Sequence, residues 1–203
     1  MKRLTALALA GLVCGCSGLN SGQAHRYYVL DPVAAPAAPA AGTKHDLVLL
    51  VAPVAVDSFY DTQDIVYSMS PGARSYYQFS SWTEPPGRRV EALLAARIDG
   101  RGTFRAVALA GEGVRGNLLL AARLEEIYHD ATGNPGSARV TLSAELIDTG
   151  RRSLVGRRKF SASVPVPSHD AAGAVIGCRQ ALGLVLDQVV AWIDEAAPDR
   201  APP

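Results

Sequence analysis

Chemistry in this sequence would rest on its histidines, carboxylates, serines and cysteines, and the spacing of the first three argues against catalysis. His25, His45, His129 and His169 are widely separated, and none lies two to five residues from another. Zinc-ligand spacing is therefore absent. Glu125-Glu126 is a carboxylate pair by sequence. Neighbours on a strand point to opposite faces, so these two are not expected to share a proton. Ser81, Asp64 and His129 have the residue types of a hydrolytic triad, but nothing in their spacing joins them. No Gly-x-Ser-x-Gly elbow, Walker loop or dinucleotide fingerprint occurs, and Gly111-Glu112-Gly113 reads as a loop that lacks the third glycine. An enzyme needs converging titratable groups. The sequence offers none, so the expectation is no catalytic residue, no metal and no cofactor.

The cysteines tell a different story. Lys2 and Arg3 precede a compact apolar run, Leu4 to Val13, and then Val13-Cys14-Gly15-Cys16-Ser17. A positive start followed by a short apolar stretch is a secretory signal, too short for the ~20 residues that a bilayer crossing takes. The segment that follows resembles the lipobox read by lipoprotein signal peptidase: an aliphatic residue, a small residue, then the cysteine. Cys16 fits that register with Val13 and Gly15, whereas Cys14 has the bulky Val13 directly before it. Residues 1–15 are thus expected to be the signal peptide, with lipid attached to Cys16. In lipoproteins that carry such a box an aspartate after the cysteine favours the inner membrane, so the resemblance, with Ser17 at that place, implies the periplasmic face of the outer membrane. Cys178 is then left alone and cannot form an internal disulfide. No later stretch reads as a transmembrane segment, so the lipid is the expected membrane anchor.

A formal net charge of +1 over 203 residues gives no support to nucleic-acid binding or to a nonspecific hold on anionic lipid. The mature length suits one domain with a real core. Residues 16–26 read as a flexible tether, 27–196 as the domain and 197–203 as a disordered tail. Pro32 to Gly42 is an alanine-proline spacer.

Within the domain, strands are expected at Tyr27–Leu30 and Leu47–Ala52. A hairpin is expected from 65–69 and 75–79 around Ser70-Pro71-Gly72-Ala73, whose Pro-Gly centre suits a type II turn. A helix should open at Glu84-Pro85-Pro86 with Thr83 as its cap and run through Val90, Leu93, Leu94 and Ile98 to Gly100. Strands at 104–109, 118–128, 140–146 and 154–164 follow, the last three forming an antiparallel meander. Ser168 is expected to cap a final helix with Val175, Cys178, Leu182, Val185, Val189 and Trp192 on one face, ending near Glu195. That order gives an α/β fold, a mixed sheet covered by helices.

Tyr60, Tyr67, Tyr76, Tyr77, Phe79 and Trp82 crowd around the hairpin. Tyr76 and Tyr77 are neighbours on a strand, so one of them must face away from the core. That one is the expected partner contact, because exposed aromatics are favoured at interfaces; the competing reading is that most of the group are core or cross-strand pairs. Trp82, just before a helix, is expected to be structural.

Several of these pieces, taken in order, resemble the ABC-type transport auxiliary lipoproteins, the family of paraquat-inducible protein C. They are the lipobox, Tyr28-Val29-Leu30, Leu49-Leu50-Val51-Ala52-Pro53-Val54, Tyr60-Asp61, Ile65-Val66-Tyr67, and Tyr76-Tyr77-Gln78-Phe79-Ser80-Ser81-Trp82-Thr83-Glu84-Pro85 leading into a helix. Ser81 departs from the arginine that often precedes the tryptophan. The resemblance implies a single three-layer α/β domain similar to anticodon-binding-domain-like folds. It also implies a docking role beside an MCE-domain protein with its ABC permease and ATPase, in some relatives as a homo-oligomeric ring, in lipid transport between membranes. A periplasmic lipid carrier and a structural envelope lipoprotein are the competing readings.

Overall fold

A computed structural model describes residues 23–32 and 44–198. The signal peptide, the lipobox with Cys16, most of the alanine-proline tract and the last five residues lie outside that range.

The longest strands organise the rest. β7 (Leu118–Asp130) pairs along its whole length with antiparallel β8 (Ser137–Asp148), which pairs in turn with β9 (Ser153–Pro165). This is the expected meander. Along its other edge β7 meets three shorter strands in succession, all parallel to it: β2 (His45–Val51), β3 (Ala55–Val56) and β4 (Asp64–Ser68). Beyond them the sheet continues at two places. β6 (Phe104–Leu109) adds to β2 in parallel, while β5 (Ser75–Trp82) adds to β4 in antiparallel and β1 (Arg26–Tyr28) adds to β5 in parallel. The sheet is therefore mixed, with nine described strands.

Period-two patterning explains which face is buried. Leu118, Leu120, Ala122 and Leu124 of β7 lie beside Ala144, Leu146 and Leu142 of β8, and all are buried. Two helices cover this face. α1 (Pro86–Arg101) brings Val90, Leu94 and Ile98, and α2 (Ala171–Ala196) brings the six residues expected of it, from Val175 to Trp192, all buried. Gly177 lets α2 approach closely, because a Cβ there would stand 2.7 Å from both Ala138 Cβ and Val166 Cγ1. The helices are joined by Arg97–Asp187 and by Asp194, which accepts from Arg101 at 2.9 Å and from Thr103 at 2.8 Å. On the other face Arg123–Asp57, Lys159–Glu125 and Arg157–Glu145 form ion pairs, and the segment after β3 seats Tyr60 against Tyr128.

Local signals were partly misassigned. The turn at 70–73 is as expected, with Ala73 N–H donating to Ser70 C=O at 3.2 Å and Gly72 at φ +78°. Thr83 does not cap α1. Its N–H is tied to Tyr28 C=O at 2.9 Å, so Pro85 takes the cap position without a side-chain bond and Pro86 opens the helix. The end falls at Arg101, with Gly102 in the left-handed conformation at φ +68°. For α2 the cap is Asp170, not Ser168. Asp170 Oδ1 accepts from Gly173 N–H at 2.8 Å, and the Ser168 hydroxyl supports it by donating to the same oxygen at 2.7 Å. By length and composition α2 is apolar enough to cross a membrane, contrary to the sequence reading. It is a core helix because its apolar face is buried against β8 and β9.

Candidate functional site

The hairpin β4–β5 splits its aromatics between the two faces of the sheet. On the helix side, Tyr77 is half-buried, packs on Tyr67 at 4.6 Å between centroids and bonds His129 Nδ1 at 2.7 Å. His129 is fully buried, and its Nε2 lies 2.8 Å from Pro135 C=O. A carbonyl can only accept, so Nε2 carries the proton and Tyr77 O–H donates to Nδ1. His169 Nδ1–H donates to the same carbonyl at 3.2 Å. Tyr77, the 131–136 turn and the approach to α2 are thereby tied together.

Burial lowers the His129 pKa below the usual 6.5, aided by the nearby His169 and opposed by the Pro135 carbonyl and by Asp130 and Asp170. The sign follows directly. Above pH 6.5 the ring is neutral in both states and the full stability is present; as pH falls, the unfolded chain takes up a proton first, so stability is lost down through the folded pKa. A thermal-unfolding series from pH 7.5 to 5.5 should show a larger fall for the native chain than for His129→Gln. Equal falls would mean that His129 is not the group responsible.

On the opposite side, Tyr76 faces away from the core. It is 41% exposed, stacks on Phe59 at 4.8 Å and donates to Phe59 C=O at 3.2 Å. Beside it Arg74 lies 3.9 Å over the Tyr128 ring, donates to Tyr60 Oη at 3.0 Å and approaches Glu126 at 3.5 Å. Burial raises the Tyr60 pKa, against the pull of the Arg74 hydrogen bond and charge. Trp82 is 2% exposed, in the core.

No triad is assembled among Ser81, Asp64 and His129, because His129 is held by Tyr77 and Pro135. Ser81 Oγ instead lies 2.9 Å from His25 Nε2 and 3.5 Å from Asp64 Oδ1. That places the serine between imidazole and carboxylate, whereas a nucleophilic triad needs the imidazole in the middle. Glu125 and Glu126 do not alternate as expected. A bulge between Leu124 and Glu126 turns both toward the ion-paired face. Each carboxylate takes its own cation, Lys159 for Glu125 and Arg74 for Glu126. Burial raises the Glu125 pKa, but the Lys159 and Ser143 hydrogen bonds and the charges of Lys159 and Arg123 outweigh it and leave it lowered. Cys178 is buried and its thiol is pushed up to about 12 by desolvation, so it acts as a small hydrophobe. Among the described residues no group of three or more His, Cys, Asp or Glu is placed to hold a metal ion.

Two concavities adjoin at Tyr77, Gln78 and His169. One, of about 410 Å³, is walled by Tyr67, Met69 and Tyr76. The other, of about 280 Å³, is walled by Gln23, Arg26 and Phe79. Sequence reasoning missed both, since they arise from the pairing of β1 with β5 and from the position of α2, neither of which local pattern reveals.

The family of ABC-type transport auxiliary lipoprotein component matches residues 28–190, from β1 to the last turns of α2. The chain belongs to this family. Its members are lipoproteins associated with ABC transport, and both the fold and the order of motifs here agree with that membership. The Xanthomonas campestris protein XCC0632, of family DUF330, is 23% identical over 84% of this chain and 95% of that one, with a TM-score of 0.76. An uncharacterized protein is 16% identical over 84% of this chain and 99% of that one, at 0.66. At these identities the likeness concerns the fold. No curated protein matches.

Proposed function

We propose that this family member is a non-catalytic lipoprotein, anchored through Cys16 on the periplasmic face of the outer membrane. There it docks an MCE-type ABC system that moves lipid between the two membranes. The observation that carries the reading is the family match across residues 28–190, preceded by the lipobox-like Val13-Cys14-Gly15-Cys16. The Ser81 geometry supports a non-catalytic role, since the buried hydroxyl has no general base backed by a carboxylate. Tyr76 is the partner contact, and Tyr77 supports it from behind by fixing the strand to His129. Assembly of several copies into a ring is part of this proposal.

Affinity capture from detergent-solubilised envelopes tests it. The expected co-purifying set is an MCE-domain protein, a permease and an ATPase. Recovery of stoichiometric bound lipid without any of these components would replace docking with a carrier role.

A further inference from the structure

β9 is an outer strand of the sheet, bonded to β8 along one side and to no described strand along the other. Its ladder shows which peptide groups are left over. Val166 N–H donates to Gly136 C=O at 3.2 Å, and the pairs from Ala138–Val164 to Leu146–Gly156 follow two residues at a time without a bulge. In an antiparallel ladder only alternate pairs exchange hydrogen bonds, so Gly156, Arg158, Phe160, Ala162 and Val164 bond β8. Arg157, Lys159, Ser161 and Ser163 turn their N–H and C=O groups outward, and these find no partner among the described residues. Pro165 falls in the same outward set, where a missing N–H costs no ladder bond.

A free edge of this length is a template for another strand, and charge sets what it accepts. Residues 151–165 hold five cations, Arg151, Arg152, Arg157, Arg158 and Lys159, and no carboxylate. Glu145 and Glu125 neutralise Arg157 and Lys159. Arg158 has no carboxylate partner among the described residues; its guanidinium lies 5.9 Å from the centre of the Phe160 ring. Because Arg158 bonds β8, it would stand in a non-hydrogen-bonded pair with an added strand, where opposed side chains come closest.

A second copy does not suit this edge. Pairing along the full length of β9 would set Lys159 against Lys159, and like charges directly opposite destabilise a ladder. Assembly of copies must use other surfaces. Lipid headgroups would meet the cations but make no use of the row of peptide groups. We infer that this edge takes an extended acidic segment of a partner protein as an added strand, with a carboxylate opposite Arg158 and main-chain bonds to Arg157, Lys159, Ser161 and Ser163. The contact is separate from the one given to Tyr76, since β4 and β5 lie across β7 from β8 and β9, and it stands or falls without it.

The probe is a blocked peptide that alternates glutamate with threonine, with its lysine–threonine counterpart as control. Each is added to the full lipidated chain in uncharged detergent micelles while amide exchange is followed residue by residue by NMR. The acidic peptide should slow exchange at Arg157, Lys159, Ser161 and Ser163 several-fold, and the lysine peptide should not. Ser161→Pro removes one outward donor and no bond to β8, so it should keep its melting temperature and lose the protection. Arg158→Glu should weaken binding roughly tenfold without touching the backbone, and it decides the matter if the proline variant unfolds. Absence of protection at millimolar acidic peptide, or equal protection by both peptides, would overturn the inference. So would the same protection on adding phosphatidylglycerol to the micelles in place of peptide, which would assign the edge to lipid.

Discussion

Replacing Cys16 with alanine should abolish lipid labelling and leave an uncleaved precursor, whereas Cys14→Ala should still be processed. On the proposed reading the Cys16 thiol takes the lipid, and no other side chain in Val13-Cys14-Gly15-Cys16-Ser17 stands in the same register. The effect on labelling is all or none because Cys16 is the one cysteine that fits the lipobox register. Net charge is +1, and among the described residues the one helix apolar enough to span packs its apolar face against the sheet. In membrane fractionation the native protein should follow outer-membrane markers, as Ser17 implies, and the alanine variant should not reach them. Normal palmitate labelling of Cys16→Ala would end the anchor assignment. Recovery of the native protein with inner-membrane markers would move the anchor to the other membrane.

What the sequence disclosed depended on how local each signal is. Alternation in Val140, Leu142, Ala144 and Leu146 identified β8 because a half-buried strand writes its period directly into the residues. The 3.6-residue stripe from Val175 to Trp192 did the same for α2. Non-local features were hidden. Ala55–Val56 is only two residues long, and its pairing with Arg123-Leu124 could not be read from so short a run. Caps failed where two candidates competed. Ser168 and Asp170 are both good cap residues, and the carboxylate took the Gly173 N–H while the hydroxyl served it. The bulge at Glu125 was invisible for a similar reason, since one extra residue changes facing without changing composition. For the candidate site, the argument that one of Tyr76 and Tyr77 must face outward was sound, because adjacent strand residues face opposite ways. Which one it was depended on His129, 52 residues away in β7, and only the fold supplied that pairing.

The second large effect separates core from contact within this aromatic group. Trp82→Ala removes a side chain that is 2% exposed and should cost ~3–5 kcal/mol of stability. For a domain of this size that lowers the melting temperature by on the order of 10 °C. Tyr76→Ala removes an exposed ring whose polar contact is one hydrogen bond to Phe59 C=O, so its melting temperature should barely move. As an interface hot spot it should instead cost ≥ ~2 kcal/mol of binding, about thirtyfold in affinity. Thermal unfolding and pull-down on the same two variants distinguish the roles. If Tyr76→Ala unfolds like Trp82→Ala, or binds like the native chain, the contact surface has been misplaced.

The most direct measurement is photo-crosslinking in intact cells, with a photoreactive residue in place of Tyr76 and the lipidated protein at its native level. Docking predicts one dominant adduct that contains an MCE-domain protein and disappears when that protein is deleted. Adducts formed only with lipid, or only with unrelated envelope proteins, while the MCE-domain protein is present, would contradict it.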